Sequence, residues 1–228
     1  MKNKKRIITI VFAVILILGI GILLYPTVSD WVNKKHSSKV IDSYVKAVEN
    51  NDDGKIKELL ALAKAYNDKL SKNPDAFYQP ELVEGYEELL DVSGNGIMGI
   101  LKVEKIKLEV PIYHGTSKEN LQVGAGHLQG SSLPIGGKST HAVISGHRGL
   151  PSAKLFTDLD KLIIGDTFTV TVLGQTLKYK IDQIKVVLPT ESSDLLIVKD
   201  MDYCTLLTCT PYGVNSHRLL VRGCRVEE

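Results

Sequence analysis

The run from Ile7 to Tyr25 contains no charged side chain, and it constrains this chain more than any other feature does. At ~1.5 Å per residue, a helix of that length crosses the hydrocarbon core of a bilayer. Inside such a core every backbone N–H and C=O must be paired within the segment, which leaves a helix as the form open to a single span. Lys2, Lys4, Lys5 and Arg6 precede the run. Positive charge ahead of a first span keeps the N-terminus in the cytoplasm and sends the rest across, although Lys34, Lys35 and Lys39 on the far side reduce the asymmetry. A cleaved signal peptide is the alternative, but its apolar stretch is ~7–15 residues long and ends at a small-residue cleavage site. This run is longer, and no such site follows it. Residues 1–29 are therefore expected to form a basic cytoplasmic tail and an uncleaved anchor. The protein is expected to be a single-pass protein of the cell membrane with its remainder on the extracellular face.

Charge excludes one class of partner. Twenty-eight Lys+Arg against 26 Asp+Glu give a formal net charge of +2, with no clustered basic surface of the kind nucleic acid requires. The three cysteines, Cys204, Cys209 and Cys224, cannot all pair with one another. None forms C-x-x-C, and the histidines are scattered without an H-E-x-x-H pattern. Neither a metal site nor a cofactor is expected.

Between the anchor and Gly96 the pattern is helical and polar. Val40, Ile41, Tyr44, Val45 and Val48 recur at helical spacing, as do Ile56, Leu59, Leu60 and Ala63. Asn51-Asp52-Asp53-Gly54 separates the two sets, Asn73-Pro74-Asp75 and Gln79-Pro80 mark a loop, and Ser93-Gly94-Asn95-Gly96 reads as a boundary. Residues 30–95 are expected to form a helical stalk and a lid region. From Gly96 the period changes to two. Strand-like stretches run from Ile100 towards Pro111, then His141–Ser145, Asp166–Val172, Gln175–Val187, Tyr203–Cys209 and Arg218–Val226, with glycine-rich turns between them. Pro151–Leu162 has helical spacing. Many short strands separated by turns predict a mainly β domain over 96–228, a closed or nearly closed barrel.

Three segments carry chemistry. Tyr203–Cys209 reads as a strand stopped by Pro211-Tyr212-Gly213, so Cys209 sits at a strand end beside a loop. Cys204, five residues earlier, points to the opposite face and reads as a core thiol. A hairpin across Thr210–His217 returns Arg218 to the side of Cys209. A fixed positive charge there favours the thiolate and offers a donor to a developing oxyanion. A solvated strand arginine is the plainer role for Arg218, and a small buried hydrophobe for Cys209. In Ser145-Gly146-His147-Arg148-Gly149 a histidine leaves an apolar strand between two glycines, a setting in which a rigid scaffold presents an acid–base group. His141 has the same strand parity, so parity alone does not choose between the two, and His217 in the hairpin is a further candidate.

Taken together these residues resemble the sortase family. Thr205-Leu206-Leu207-Thr208-Cys209 has its T-L-x-T-C signature, Arg218 matches its arginine and His147 its histidine. The order is kept from about Gly96 to Val226, with the N-terminal anchor in front. The resemblance implies a closed β-barrel of about eight strands with short helices behind a helical N-terminal segment. It also implies catalysis by His147, Cys209 and Arg218. The implied substrates are LPxTG-type secreted proteins or pilins, cleaved through a Cys209 thioester and passed to an amine. That amine is a pilin lysine in pilus assembly or a cell-wall precursor in anchoring. Thr208–Gly223 is most similar to class C, the pilin-polymerising sortases. Two features depart from that class. The chain stops at Glu228 without a second hydrophobic segment, and in place of an Asp-Pro-aromatic lid motif it has Asn73-Pro74-Asp75-Ala76-Phe77-Tyr78. Asp75 and Phe77 are the residues expected over the site, and Leu188–Lys199 is expected to form a groove wall. A cysteine hydrolase using the same three residues, and a non-enzymatic binding module on this scaffold, are the competing classes.

Overall fold

The computed structural model describes residues 2–226. Met1, Glu227 and Glu228, which fall in the expected anchor and catalytic segments, lie outside the described residues. One helix, α1 (Lys2–Glu49), takes in the uncharged run and continues well past it. Its side chains from Lys4 to Val28 are exposed on every side. A helix that is apolar all round and uncovered by its own chain is suited to a lipid environment. Pro26 lies inside α1, where the missing N–H allows the axis to bend.

Past Pro26 α1 becomes amphipathic. Val40, Ile41, Tyr44 and Val48 pack against Ile97, Ile100 and Tyr113 of the following domain. Tyr44 Oη donates to Met98 O at 3.0 Å and accepts from Leu173 N at 2.9 Å. Burial pushes this phenol up to about 12. Asp52 then caps α2 (Asp53–Leu70), its carboxylate accepting from Lys55 N at 2.9 Å. The helical pattern expected between the anchor and Gly96 does not hold beyond Leu70. The chain instead makes two 3-10 turns, Pro74–Phe77 and Pro80–Leu82, each opened by a proline that cannot continue a helix. This irregular stretch still buries Ala76, Val83, Tyr86 and Leu90 against the core.

The remainder is a barrel of eight strands: β1 (Ile97–Val103), β2 (Leu108–His114), β3 (Ala125–His127), β4 (Thr140–Ser145), β5 (Thr167–Val172), β6 (Gln175–Val187), β7 (Asp202–Thr210) and β8 (His217–Arg225). A short helix, α3 (Lys118–Val123), precedes β3. The strands close in the order β1-β2-β3-β4-β7-β8-β6-β5, which leaves no free sheet edge. β2–β3 and β4–β7 are parallel, and the other pairs are antiparallel. Alternation fills the interior. Phe168, Val170 and Val172 from β5 meet Tyr179 and Ile181 from β6 and Cys204 and Leu206 from β7.

Local expectations differ in three places. The strand-like run towards Pro111 is a hairpin, broken at Glu104–Ile106 by a turn that closes on Lys107 at φ 52°. β2 passes through Pro111 to His114, because the β3 pairing starts only at Ile112 and proline is tolerated at such a margin. The helical spacing of Pro151–Leu162 yields a 3-10 segment, Leu155–Lys161, with Phe156 off helical geometry.

Candidate active site

β7 ends where β4 and β8 flank it, and the three chemistry-bearing residues come from the ends of these strands. In the antiparallel β7–β8 ladder Cys209 stands directly opposite Arg218. Opposed residues share a face, with Cβ atoms ~4.5–5.5 Å apart. In the parallel β4–β7 ladder the last pair is Ser145 with Leu207. The pairing persists past the strand: Gly146 N donates to Leu207 O at 3.1 Å and Thr208 Oγ1 donates to Gly146 O at 2.7 Å. His147 therefore follows Ser145 by the same two positions as Cys209 follows Leu207.

The faces can be read from burial. Cys204, Leu206 and Thr208 point into the barrel and are buried, whereas Leu207 and Cys209 are half-buried on its outer wall. A Cβ on Gly146 would point inward and lie 2.7 Å from the ring of buried Phe156. His147, next in line, is half-buried. Partial desolvation lowers its pKa and so favours the neutral imidazole. Arg218 Nη1 donates to the carbonyls of Asn215 (3.2 Å) and His217 (3.1 Å) in its own turn, and Arg218 forms no ion pair among the described residues. Its charge is thus not neutralised by a carboxylate among the described residues. Burial raises the Cys204 thiol, as befits a core residue.

An apolar cluster lies on the same outer wall: Val143, Val187, Leu195 and Leu220 are buried there, with Leu128, Leu207 and Phe77 packed against them. Leu195 comes from a 3-10 turn, Ser193–Leu195, within the segment between β6 and β7. Phe77 comes from the irregular stretch. The backbone there runs so close over Gly130 that a Cβ would lie 2.8 Å from Ala76 O, and Ser192 Oγ donates to Tyr78 Oη at 3.1 Å. The 73–78 segment thus lies over this cluster between Gly130 and Ser192, while Asp75 is exposed and its carboxylate has no hydrogen bond among the described residues.

The sortase domain family matches residues 101–226 of this chain, more than half its length. The chain belongs to the sortase family. Its fold, a closed eight-stranded barrel behind an N-terminal helix, is the sortase fold, and its enzyme class is that of a cysteine transpeptidase. A crystal structure of sortase C1 from Streptococcus agalactiae is 48% identical, with a TM-score of 0.78 over 83% of this chain and 99% of that one. A structure described as sortase C1 of GBS pilus island 1 is 46% identical, with a TM-score of 0.77 over 84% of this chain and 93% of that one. Sortase D of Bacillus subtilis is 30% identical over 131 residues, 56% of this chain and 63% of that protein. The structural likeness is therefore to class C sortases. The long apolar helix of this sortase fits a membrane anchor.

The structure also separates the histidines that parity left open. His141 Nδ1 lies 2.9 Å from Leu196 O and its Nε2 lies 2.7 Å from Thr205 Oγ1. The carbonyl can only accept, so Nδ1 carries the proton and Nε2 accepts from the hydroxyl. Burial holds this ring neutral, with a pKa of about 4. His217 stands opposite Thr210, one position out of phase with Cys209 and Arg218. One neighbour of the site escaped the sequence reading. Arg148 Nη1 donates to Thr210 Oγ1 at 3.1 Å while Nη2 pairs with Asp160, so the residue after His147 is tied to the residue after Cys209. The charged pattern His147-Arg148 was visible, but only the fold reveals its partners.

Proposed function

We propose that this sortase cleaves LPxTG-like sorting signals at Cys209 and transfers the severed protein to an amine, most directly a pilin lysine. One observation carries the reading: Cys209 and Arg218 are opposed on β7 and β8 beside an apolar cluster on the same wall, with His147 leaving the adjacent strand. In this mechanism Cys209 Sγ attacks the threonine carbonyl carbon, and Arg218 donates to the oxyanion. His147 takes the thiol proton and gives it to the leaving glycine amine as the peptide bond breaks. A thioester remains. The incoming lysine amine loses a proton to His147, attacks the thioester carbon and forms an isopeptide bond, and the sulfur leaves as a thiol once reprotonated. The apolar cluster suits the leucine and proline of such a signal. The likeness to the sortase C1 of a pilus island supports a pilin as the acceptor. The anchor supports a catalytic domain on the extracellular face, where the substrates are secreted.

Incubating the detergent-solubilised full chain with a sorting-signal peptide and either a lysine-bearing pilin fragment or a cell-wall precursor, followed by mass spectrometry, tests this. The expected product is an isopeptide to the pilin lysine. Transfer to the wall precursor alone makes the enzyme an anchoring sortase, and release of free acid in the presence of both amines makes it a hydrolase. Cys209→Ala abolishes the thioester adduct with the fold intact, and transfer retained in that variant removes the nucleophile assignment.

A further inference from the structure

At one end of the barrel two neighbouring isoleucines stand in solvent. Ile163 and Ile164 are 61% and 66% exposed, although Leu162 just before them is buried. The turn that carries them is well braced. Asp166 N donates to Ile163 O at 3.1 Å, the Asp166 carboxylate accepts from Ile163 N at 2.8 Å, and Gly165 N donates to Ile181 O at 2.8 Å. Gly165, at φ +96°, fills the left-handed third position that such a turn demands. The turn thus fixes both side chains outward, and the core gains nothing from their apolar character.

The contacts of α1 locate this turn relative to the apolar span. Counting back along the helix, Tyr44 binds Met98 and Leu173, Ser37 Oγ donates to Val123 O, Asn33 Nδ2 donates to Ser152 O and Asp30 accepts from Lys154 N. The barrel therefore lies along residues 30–48, with the Val172 end of β5 at the level of Tyr44. The other end of β5, about five residues at ~3.3 Å each nearer the span, leads into the isoleucine turn. Lys105 is bonded to Asp166 at 2.7 Å, and it lines a cleft of about 490 Å³ whose opposite side is α1 from Asp30 to Ser38. Asp30 lies five residues past Tyr25, ~7.5 Å along a helix. The headgroup layer on each side of a bilayer core is itself roughly 5–7 Å deep. Pro26 lies one turn before Asp30, so a bend there tilts this end of the barrel without carrying it far from the span.

We propose that the Ile163–Ile164 turn is a second membrane contact, which seats the barrel on the phospholipid headgroup layer of the bilayer that its own α1 crosses. The proposal rests on reading Ile7–Tyr25 as a membrane span. Charge around the turn is nearly balanced: Lys34, Lys105 and Lys161 pair with Asp30, Asp166 and Asp158, and Glu109 offsets one of Lys107 and Lys154. Burial of the two isoleucines at the boundary of headgroup and acyl chain therefore drives the contact, and a neutral lipid is a sufficient probe. The contact has a consequence for catalysis. The segment after His147 is held to α1 through Ser152 and Lys154, so a barrel seated in this way presents its site at a fixed height above the lipid.

Tryptophan quenching in the full chain tests the proposal. Trp31, the chain's single tryptophan, is changed to phenylalanine, and the protein is placed in phosphatidylcholine nanodiscs with ordinary lipid or lipid brominated high on the acyl chain. Single tryptophans are introduced as Ile164→Trp, Phe12→Trp in the span and Leu62→Trp on exposed α2. Brominated lipid is expected to cut the emission of Ile164→Trp by about twofold, as for a side chain lodged at the interface, and to leave Leu62→Trp unchanged. Quenching of Phe12→Trp together with an unquenched Ile164→Trp overturns the proposal while keeping the anchor. An unquenched Phe12→Trp overturns the anchor reading itself, and the proposal with it.

Discussion

Acidification provides a quantitative test of how the barrel wall is held. His127 and His141 are buried and neutral, each with its pKa lowered from 6.5 to about 4, chiefly by desolvation. Both rings are hydrogen-bonded as neutral species, His127 through Nε2 to Ser132 O at 2.8 Å and His141 between Leu196 O and Thr205 Oγ1. A histidine whose folded pKa is depressed contributes stability that is fully present above its unfolded value and is lost as pH falls towards the folded value. Between pH 6.5 and 4 the unfolded chain binds more protons, so stability rises with pH at ~1.4 kcal/mol per unit for each ring. From pH 7.5 to pH 5 each ring costs about 2 kcal/mol and the pair about 4 kcal/mol, a large part of a domain's usual 5–15 kcal/mol. Urea unfolding of the β-sheet signal by circular dichroism, on the full chain in detergent at several pH values, measures this. His141→Gln keeps a donor and an acceptor but removes the titration, so its pH slope over this window should fall to about half that of the natural sequence. A natural chain with flat stability between pH 7 and 5, or a His141→Gln chain with an unchanged slope, refutes the claim that these rings are held neutral.

Three further outcomes concern the site. Arg218→Lys keeps the charge but loses the planar fork, and steady-state transfer to an amine acceptor should drop by about 10²-fold; near-normal turnover reduces Arg218 to a structural role. Gly146→Ala places a methyl against the Phe156 ring, at a cost of about 1–3 kcal/mol, and shifts the backbone that carries His147, so it should lower both melting temperature and turnover. Unchanged values of both would mean that the ring moves aside freely. Phe77→Ala should speed labelling of Cys209 by a thiol reagent, read by peptide mass spectrometry, while buried Cys204 stays unlabelled; an unchanged Cys209 rate would show that Phe77 does not screen the site.

The parts of this fold that were legible in the sequence are those set by local chemistry. Period-two alternation and glycine turns mark the long strands, and Pro211-Tyr212-Gly213 makes the β7–β8 hairpin short enough for its register to be anticipated. Strand order is different. The parallel pairing of β4 with β7 joins Thr140–Ser145 to a strand that begins only at Asp202, and β3, which runs parallel to β2, is too short to show a pattern. Residues 71–95 belong to the stretch expected to be a helical stalk and lid, but Pro74 and Pro80 prevail and the segment runs as irregular backbone. At the site, His141 and His147 share a parity that only burial and partners distinguish. The tie from Arg148 to Thr210 and Asp160 has no local signature, because its three members come together only after the barrel closes.

The unbroken helix from the apolar span to the docking face acts as a shaft with a fixed phase. Each helical residue contributes ~100° of rotation and ~1.5 Å of rise. One residue inserted between Tyr25 and Asp30 would therefore swing the catalytic mouth by more than a quarter-turn about the shaft while hardly lifting it. Four inserted residues would bring its heading back to within about 40°, roughly one turn higher. Compass direction and altitude of the mouth are thus set by the length of one short stretch of helix, without any change to the barrel.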